Sequence, residues 1–189
     1  MNKLYLMVGI PGSGKSTFIA NTKEVRTLIV SRDAIRFSMV SEGESYFKKE
    51  KEVFNTFINK INEGLKYGNV VADATHVSKA SRAKVLSKIT EPCKVVIVWM
   101  NTDIETALAQ NMLREGRSVV PETAIRNMHE SFEEPSFEED ERIDTIIKVD
   151  IKNKYNNAKV WFRDNESSLE LNILPRNVKP PTNLSEMED

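Results

Sequence analysis

Near its amino terminus the chain reads Gly9-Ile10-Pro11-Gly12-Ser13-Gly14-Lys15-Ser16-Thr17. This stretch satisfies the phosphate-loop pattern of a glycine, four further residues and then Gly-Lys-Ser. The glycines let backbone N–H groups converge on phosphate oxygens, Lys15 can place its charge at the β- and γ-phosphates, and the Ser16 hydroxyl can bind Mg²⁺. An apolar run precedes the loop and a helical segment follows it, as the motif requires. The sequence therefore predicts a nucleoside triphosphate site here, in preference to a glycine-rich turn without a ligand.

Short apolar runs alternate with longer helical patterns along the chain, which is typical of stacked βα units. The runs predict strands over residues 3–8, 27–30, 69–72, 94–100 and 145–149. Their near-continuous Val, Ile and Leu content suits parallel strands buried on both faces. Helices are expected over residues 16–22, 45–67, 78–89, 103–113 and 121–130. The sequence predicts an α/β fold with a mainly parallel sheet.

The pattern changes near residue 150. Residues 158–162 and 169–173, joined by residues 163–166, predict an antiparallel β-hairpin. Residues 175–189 contain Pro180-Pro181 and predict a disordered tail. We therefore expect one main domain over residues 1–150, a hairpin extension of that same domain over residues 151–174, and a tail.

Composition restricts the class of protein. The chain has 189 residues, a net charge of −1, 40% hydrophobic and 29% charged residues, which fits one globular domain and excludes general disorder. One cysteine excludes an internal disulfide, and with only two histidines it argues against a structural zinc site. No apolar run has the length of a membrane span or the layout of a signal peptide, so we expect a cytoplasmic protein with no membrane partner.

The charge is unevenly distributed. Residues 129–144 contain eight acidic residues and one arginine, whereas the preceding part of the chain is mildly basic. A basic body could hold phosphates. The acidic segment by itself could equally be a solvated surface loop.

A second polar motif, Ser31-Arg32-Asp33-Ala34-Ile35-Arg36, directly follows the second predicted strand. Open α/β sheets bind ligands at the carboxyl ends of their strands. Asp33 could accept a proton from an attacking hydroxyl, and Arg32 and Arg36 could clamp a phosphate of the acceptor. The alternative is that Asp33 caps a helix and both arginines are solvated.

A third motif, Asp73-Ala74-Thr75-His76, follows the third predicted strand. Asp73 could hold a metal-bound water or orient an arginine, and Thr75 could bond to a ligand. A turn or cap ahead of the next helix explains the motif equally well. What favours a site is that three polar motifs each follow an apolar strand, because these positions meet at one edge of a parallel sheet. By itself, His76 is expected to be a surface histidine.

The segment around Arg114, Gly116 and Arg117 ends one predicted helix, and Pro121 opens the next. This pattern indicates a hinged flap whose arginine could neutralise charge during phosphoryl transfer. Arg114 and Arg117 are both candidates for that lid arginine. The alternative is a simple interaction of basic residues with a helix carboxyl terminus.

In this order the motifs resemble those of the phage-type polynucleotide 5′-kinases and the wider P-loop kinase family. The resemblance rests on Gly9 through Thr17, Ser31-Arg32-Asp33 with Arg36, Asp73-Ala74-Thr75-His76, and Asn111 through Arg114 with Gly116-Arg117 and Val120-Pro121; the later Ser131-Phe132-Glu133-Glu134-Pro135 also matches. It covers residues 1–150. It implies a P-loop NTPase-type three-layer sandwich with a helical lid, and transfer of the γ-phosphoryl group of ATP, with Mg²⁺, to the 5′-hydroxyl of DNA or RNA.

The resemblance also implies roles for individual residues. Asp33 would be the general base, with Lys15 and Arg114 as the other catalytic residues and Ser16 at the metal. The phosphate loop, with Arg114 and Arg117, would bind ATP. The acceptor would be bound by Arg32, Arg36, Asp73, Thr75 and His76, and Arg36 would hold its phosphate. Asp73 would lie in the acceptor pocket and could orient Arg36.

The sequence departs from the family pattern at two positions. Gln110 stands where an arginine often starts the lid motif, and His76 stands where an asparagine is common; both affect the expected acceptor more than ATP use. The Asp-x-Asp-Gly-Thr motif of the phosphatase domain in bifunctional members does not occur in this sequence, so we expect no end-healing phosphatase activity.

Two other functions stay open at the level of sequence. A kinase of a small hydroxyl metabolite or nucleoside would share every motif above. An ATP-dependent switch or binding module without transferase activity would use the acidic segment and the hairpin as its interface. The expected partner is a 5′-hydroxyl nucleic acid end, and a homo-oligomer is also open.

Overall fold

The computed structural model describes residues 1–22, 27–152 and 155–173. Within them the strands join one sheet in the order β2-β3-β1-β4-β5-β6-β7. The strands are β1 Asn2–Val8, β2 Thr27–Ser31, β3 Asn69–Asp73, β4 Cys93–Asn101, β5 Ile143–Lys152, β6 Tyr155–Phe162 and β7 Asn165–Ile173. The first five are parallel, and β6 and β7 pair antiparallel. All five strands predicted for the main domain are confirmed.

The helices of the described residues connect these strands. They are α1 Lys15–Thr22, α2 Arg32–Met39, α3 Glu50–Leu65, α4 Lys79–Leu86, α5 Ile104–Met112 and α6 Glu122–Glu130, with 3₁₀ turns at Gly116–Ser118 and Phe137–Glu139. The prediction that a helix begins at residue 45 is wrong, because residues 46–49 form turns ahead of α3. In that turn Tyr46 bonds to Asp33 on α2 instead of continuing the helix.

Apolar side chains pack on both faces of the sheet, which makes the molecule a three-layer sandwich. Leu4, Leu6 and Val8 of β1 join a core that includes residues of α3 and α4. Met7, on the opposite face of the same strand, packs in a second core with Ile19 of α1. This alternation follows from the two-residue period of a strand. The predicted α/β sandwich with a mainly parallel sheet is confirmed.

A third, smaller apolar cluster joins the phosphate loop to the helices that follow β4. It consists of Ile10 from the loop, Ala107 and Leu108 from α5, and Ile125 from α6. The loop is therefore packed against α5 and α6, the helices predicted to form the lid.

The predicted hairpin is present and is longer than expected. β6 and β7 pair antiparallel with Phe162 opposite Asn165, so the turn consists of Arg163 and Asp164. β6 also pairs along β5, and the sheet continues from the main domain into the hairpin without a break. The division at residue 150 stays a prediction, and the expected tail, residues 175–189, lies outside the described residues.

No helix in the described part of the chain combines the length and the apolar character that crossing a bilayer requires.

Candidate active site

The phosphate loop leaves β1 at the edge predicted for ligand binding. The N–H of Gly9 donates to the carbonyl oxygen of Thr75 over 2.9 Å, which ties the loop to the segment after β3. Gly12 and Gly14 have φ angles of +80° and +91°, in the left-handed region that favours glycine. A Cβ on Gly12 would also lie 2.1 Å from the carbonyl oxygen of Ala107. The spacing of glycines thus meets both a conformational and a steric requirement.

The remaining loop residues fit a bound phosphate chain. Pro11 and Ser13 are buried, and the Ser13 hydroxyl has no hydrogen-bond partner among the described residues. The Thr102 hydroxyl donates to the Ser13 carbonyl oxygen over 2.9 Å and fixes the turn. Ser16 and Thr17 are exposed in the first turn of α1. A loop of backbone donors with an unpaired buried hydroxyl and an exposed serine suits phosphate oxygens and their Mg²⁺.

Lys15 is folded back over the loop. Its ammonium donates to the carbonyl oxygens of Gly9 over 2.8 Å and Ile10 over 2.9 Å. Burial lowers the pKa of Lys15 to about 8. A lysine that is partly neutral near this pH gains charge when an anion binds beside it.

Four charged groups of the predicted site lie within electrostatic reach of one another. Asp73 and Asp33 oppose the lowering of the Lys15 pKa, whereas Arg114 adds to it. Burial raises the pKa of Asp73. The charge of Asp33 raises this pKa further, whereas Lys15 and Arg114 lower it. The structure therefore brings together residues of four separate motifs, three of which meet at the shared edge of the parallel sheet.

Asp33 lies in the first turn of α2, directly after β2, and its side chain is 60% exposed. The Arg36 guanidinium and the Tyr46 hydroxyl both donate to Asp33 Oδ1 over 2.7 Å. Oδ2 has no such partner within the described residues, so it is the oxygen open to a proton donor. The alternative that Asp33 caps the helix is wrong, because Ser31 is the cap and accepts from the N–H of Ala34.

Arg36 is only 5% exposed and is held by three partners. It donates to Asp33, to Tyr46 over 2.7 Å and to Glu50 over 2.7 Å, and its guanidinium lies 4.2 Å from the centroid of the Tyr46 ring. The alternative of a solvated arginine is wrong for this residue. The expectation that Asp73 orients Arg36 is also corrected, since Glu50 and Tyr46 do so. In this structure Arg36 positions the carboxylate of Asp33.

Arg32 belongs to the same ionic cluster as Arg36. It pairs with Glu50 and lies over the ring of Phe54, 5.5 Å from its centroid. Two arginines from one motif thus share Glu50, a residue that sequence reasoning did not single out. No local motif marks Glu50, because its role depends on how α3 packs against α2.

Fewer side chains of the motif after β3 reach the site than the sequence predicts. Asp73 ends β3 beside Ser31 of β2 and lies at the predicted edge. Thr75 contributes its carbonyl oxygen, which accepts from the N–H of Gly9. Asp73 is therefore the member of this motif whose charge reaches the candidate site.

His76 is the clearest correction. Its side chain is 2% exposed, and Nδ1 lies 2.7 Å from the carbonyl oxygen of Met7. Burial lowers its pKa to about 4, so the ring is neutral and donates to that oxygen. Its φ of 45° turns the chain so that the ring enters the core. The expectations of a surface histidine and of an acceptor-binding side chain are both wrong.

The two arginines predicted for the lid have different surroundings. Arg114 donates to the carbonyl oxygen of Ser118 over 3.3 Å and lies within electrostatic reach of Lys15. Arg117 donates to the carbonyl oxygens of Phe37 and Val40, over 3.4 Å and 2.5 Å, at the carboxyl end of α2. The expectation that Arg117 binds the nucleotide is therefore corrected, because it fastens the lid turn to α2.

Asn111 bridges the two ends of the segment predicted to form the lid. Its side-chain amide donates to the carbonyl oxygen of Val120 over 2.8 Å, and its oxygen accepts from the N–H of Val120 over 3.0 Å. This pair of bonds brings the two ends of the segment between α5 and α6 together. Arg114 lies in the loop that these two bonds close.

The chain matches the model of a known family. The family model AAA_33, described as an AAA domain, matches residues 4–135. The chain belongs to this AAA-domain family. The matched range contains every candidate site residue and ends before β5, so β5 and the hairpin lie outside the range that the AAA-domain model matches.

Solved structures share the fold of this AAA-domain protein. A sugar kinase from Janibacter sp. HTCC2649 is 15% identical, with a TM-score of 0.55 over 79% of this chain and 86% of that chain. A gluconokinase from Sinorhizobium meliloti 1021 is 16% identical, with a TM-score of 0.54 over 80% and 83%. A chain of the Pnkp1/Rnl/Hen1 RNA repair complex is 23% identical, with a TM-score of 0.57 over 69% of this chain and 43% of that chain. At these identities the likeness concerns the fold.

A buried ion pair beneath the site was missed by sequence reasoning. Arg82 of α4 donates to Glu139 over 2.6 Å and 2.8 Å and to the carbonyl oxygen of His76 over 2.9 Å. Glu139 belongs to the acidic segment, and Glu133 of the same segment accepts from the N–H of Lys79 over 2.8 Å. Part of that segment therefore has a structural role in this AAA-domain protein and is not simply a solvated loop.

Proposed function

We propose that the protein is a P-loop kinase that uses ATP and Mg²⁺ to phosphorylate the 5′-hydroxyl of a polynucleotide, DNA or RNA, with Asp33 as the general base. The observation that carries this proposal is the position of Asp33. Its exposed carboxylate stands at the strand-end edge of the sheet, within electrostatic reach of the phosphate-loop lysine. A nucleotide-binding switch has no need of a carboxylate held in this way together with a lid arginine.

In the proposed reaction the acceptor hydroxyl oxygen attacks the γ-phosphorus and its proton passes to Asp33 Oδ2. The bond between that phosphorus and the bridging oxygen breaks, and ADP leaves. Arg36 and Tyr46 hold Oδ1, so the carboxylate presents its second oxygen. Lys15 and Arg114 offset the charge on the transferring group, which is the main demand of phosphoryl transfer. Mg²⁺ held at Ser16 would supply further charge neutralisation on the phosphate oxygens.

A polynucleotide is the proposed acceptor because the combination of motifs resembles the polynucleotide 5′-kinases over the whole main domain. The RNA repair complex among the solved structures is consistent with this choice. Arg32 and Arg36 are held by protein carboxylates, so any bond that they make to an acceptor phosphate would require them to share those partners. We therefore assign Arg36 to positioning Asp33.

The direct test is transfer from γ-labelled ATP to 5′-hydroxyl DNA and RNA oligonucleotides, run beside a panel of sugars and nucleosides. We expect labelled oligonucleotide in the presence of Mg²⁺, and none from the same oligonucleotide carrying a 5′-phosphate. Unlabelled oligonucleotide together with a labelled sugar or nucleoside would contradict the proposed acceptor. No transfer to any acceptor would contradict the kinase proposal itself.

The second candidate function is phosphorylation of a small hydroxyl metabolite. It is favoured by the sugar kinase and the gluconokinase, each of which aligns with about four-fifths of this chain. Salt separates the two candidates, because binding of a polynucleotide weakens steeply as salt rises and binding of an uncharged sugar does not.

A further inference from the structure

Two aromatic side chains are exposed next to the proposed general base. Tyr46 is 40% exposed and Phe47 is 67% exposed, in the turn between α2 and α3. Their ring centroids lie 4.9 Å apart at an interplanar angle of 84°. Single exposed apolar residues are ordinary, but an exposed aromatic pair at the rim of a catalytic site is a typical ligand surface.

The aromatic pair is linked to Asp33 by a hydrogen bond. The Tyr46 hydroxyl donates to Asp33 Oδ1 over 2.7 Å, so the Tyr46 ring stands between that carboxylate and Phe47. The Tyr46 ring also meets Phe37 edge to face, with centroids 6.5 Å apart. A ligand whose hydroxyl reaches Asp33 therefore comes close to the Tyr46 ring.

Three lysines follow the aromatic pair in the sequence, together with Glu50, which is paired with Arg32 and Arg36, and Glu52. Lys48, Lys49 and Lys51 come within four residues of Phe47 and are exposed. Lys48 pairs with Glu44, whereas Lys49 and Lys51 stand at the start of α3. Aromatic faces interleaved with cations are the chemistry that proteins use to bind single-stranded nucleic acids, by stacking on bases and attracting phosphates.

We propose that Phe47, supported by Tyr46, is the stacking platform for the terminal base of the polynucleotide whose 5′-hydroxyl faces Asp33, and that Lys49 and Lys51 attract the phosphates that follow. This inference rests on the proposed function and deepens it, because it assigns the side chains that would bind the terminal nucleotide of the acceptor.

The test compares three variants with the parent protein. Phe47→Leu removes the aromatic face and keeps an apolar side chain, Phe47→Trp keeps a face, and Tyr67→Leu changes an exposed tyrosine after α3.

We expect Phe47→Leu to raise the KM for a 5′-hydroxyl single strand about tenfold or more, since stacking of one base on an aromatic ring supports a change of that order. The KM for ATP and kcat should stay within about twofold of the parent, because a stacking interaction serves binding of the acceptor. Phe47→Trp should restore the KM, and Tyr67→Leu should match the parent.

A second measurement does not depend on turnover. Anisotropy of a 3′-labelled 5′-hydroxyl oligonucleotide, with a non-hydrolysable ATP analogue, should show the same loss of affinity in Phe47→Leu. The double variant Lys49→Gln and Lys51→Gln should reduce the slope of log affinity against log salt by about 0.7 for each phosphate that the protein no longer neutralises.

The outcomes separate this inference from the proposed function. If the parent labels the oligonucleotide and Phe47→Leu has the parent's KM and affinity, the stacking platform is wrong and the proposed function stands. If the oligonucleotide binds through Phe47 but is never phosphorylated, the platform stands and the proposed function fails. If Phe47→Leu loses binding of a protein partner but not of the oligonucleotide, the surface belongs to that partner and the platform is wrong.

Discussion

Gly12 of the phosphate loop and Ala107 of α5 meet backbone to backbone. A Cβ added to Gly12 would lie 2.1 Å from the Ala107 carbonyl oxygen, closer than any real Cβ contact. The helix that leads into the predicted lid therefore packs on the loop that would hold the phosphates. Through this packing, the conformation of the loop depends on α5 as well as on its own glycines.

Gly12→Ala should destabilise the protein more than Gly43→Ala does. Both glycines have left-handed φ angles, +80° and +87°, so both variants incur strain of about 1–2 kcal/mol. Only Gly12 has a neighbour in the way, which adds about 1–3 kcal/mol of overpacking. Urea unfolding measures the difference, and ATP affinity should fall only in Gly12→Ala. Equal losses of stability in the two variants would contradict the packing of α5 on the loop.

The affinity for ATP should decrease as pH rises above about 8. Burial lowers the pKa of Lys15 to about 8, so the free protein has an increasingly neutral lysine above that pH, whereas the triphosphate favours the charged form. The Kd should rise by up to about tenfold per pH unit above pH 8, and binding should take up a proton. Calorimetry in buffers of different ionisation enthalpy measures that uptake. The Lys15→Arg variant should show no such uptake, because arginine does not titrate in this range. A Kd that is constant from pH 7 to 9.5 in the parent would rule out this role for Lys15.

His76 should make the folded protein less stable in mild acid. Its pKa is lowered from 6.5 in the unfolded chain to about 4 in the folded protein, so between these values the unfolded state binds more protons. The stability that depends on the neutral ring is complete above pH 6.5 and is lost as pH falls toward 4. The slope is at most about 1.4 kcal/mol per pH unit. Comparing the free energy of unfolding of the parent with His76→Asn isolates this contribution, because asparagine tolerates the positive φ.

The matched control for that comparison is His129→Asn, which changes the exposed histidine of α6. It should retain the parent's pH dependence between 4 and 6.5. If His76→Asn retains the parent's dependence as well, the buried neutral histidine is refuted.

The ion pair of Arg82 and Glu139 should contribute far more to stability than an exposed pair. Both side chains are buried, so Arg82→Ala leaves Glu139 as an uncompensated buried charge and should cost about 3–5 kcal/mol. Arg126→Ala removes an exposed i,i+4 pair with Glu122 and should change the free energy of unfolding far less than Arg82→Ala does, because water screens exposed charges. Thermal or urea unfolding of the two variants gives the comparison. Similar losses of stability in the two variants would contradict the larger contribution of the buried pair.

The parallel sheet and the shared edge of the site were predictable from the sequence, because both follow from local signals. The apolar runs give the strands, and crossover connections force Asp33 and Asp73 to the same edge as the phosphate loop. The register that places Ser31 beside Asp73 confirms this reasoning.

Features that depend on distant partners were not predictable in the same way. His76 becomes buried because Met7, 69 residues away, offers its carbonyl oxygen. Arg82 is neutralised by Glu139, 57 residues away, and neither residue belongs to a motif. The role of Arg117 was misassigned for a similar reason, since the carbonyl oxygens that it binds belong to the end of α2, a helix that the sequence pattern did not predict. In each case tertiary packing decides where a polar side chain lies.

The central claim, that Asp33 accepts the proton of the acceptor hydroxyl, is tested most directly by Asp33→Asn. Asparagine keeps an oxygen for the bonds from Arg36 and Tyr46 but is not a base, and Asp164→Asn in the exposed hairpin turn serves as the control. In single-turnover transfer from labelled ATP to a 5′-hydroxyl oligonucleotide, Asp33→Asn should be slower by about 10²–10⁴-fold, with ATP affinity unchanged. Transfer at the parent's rate, or loss of ATP binding together with transfer, would contradict the assignment.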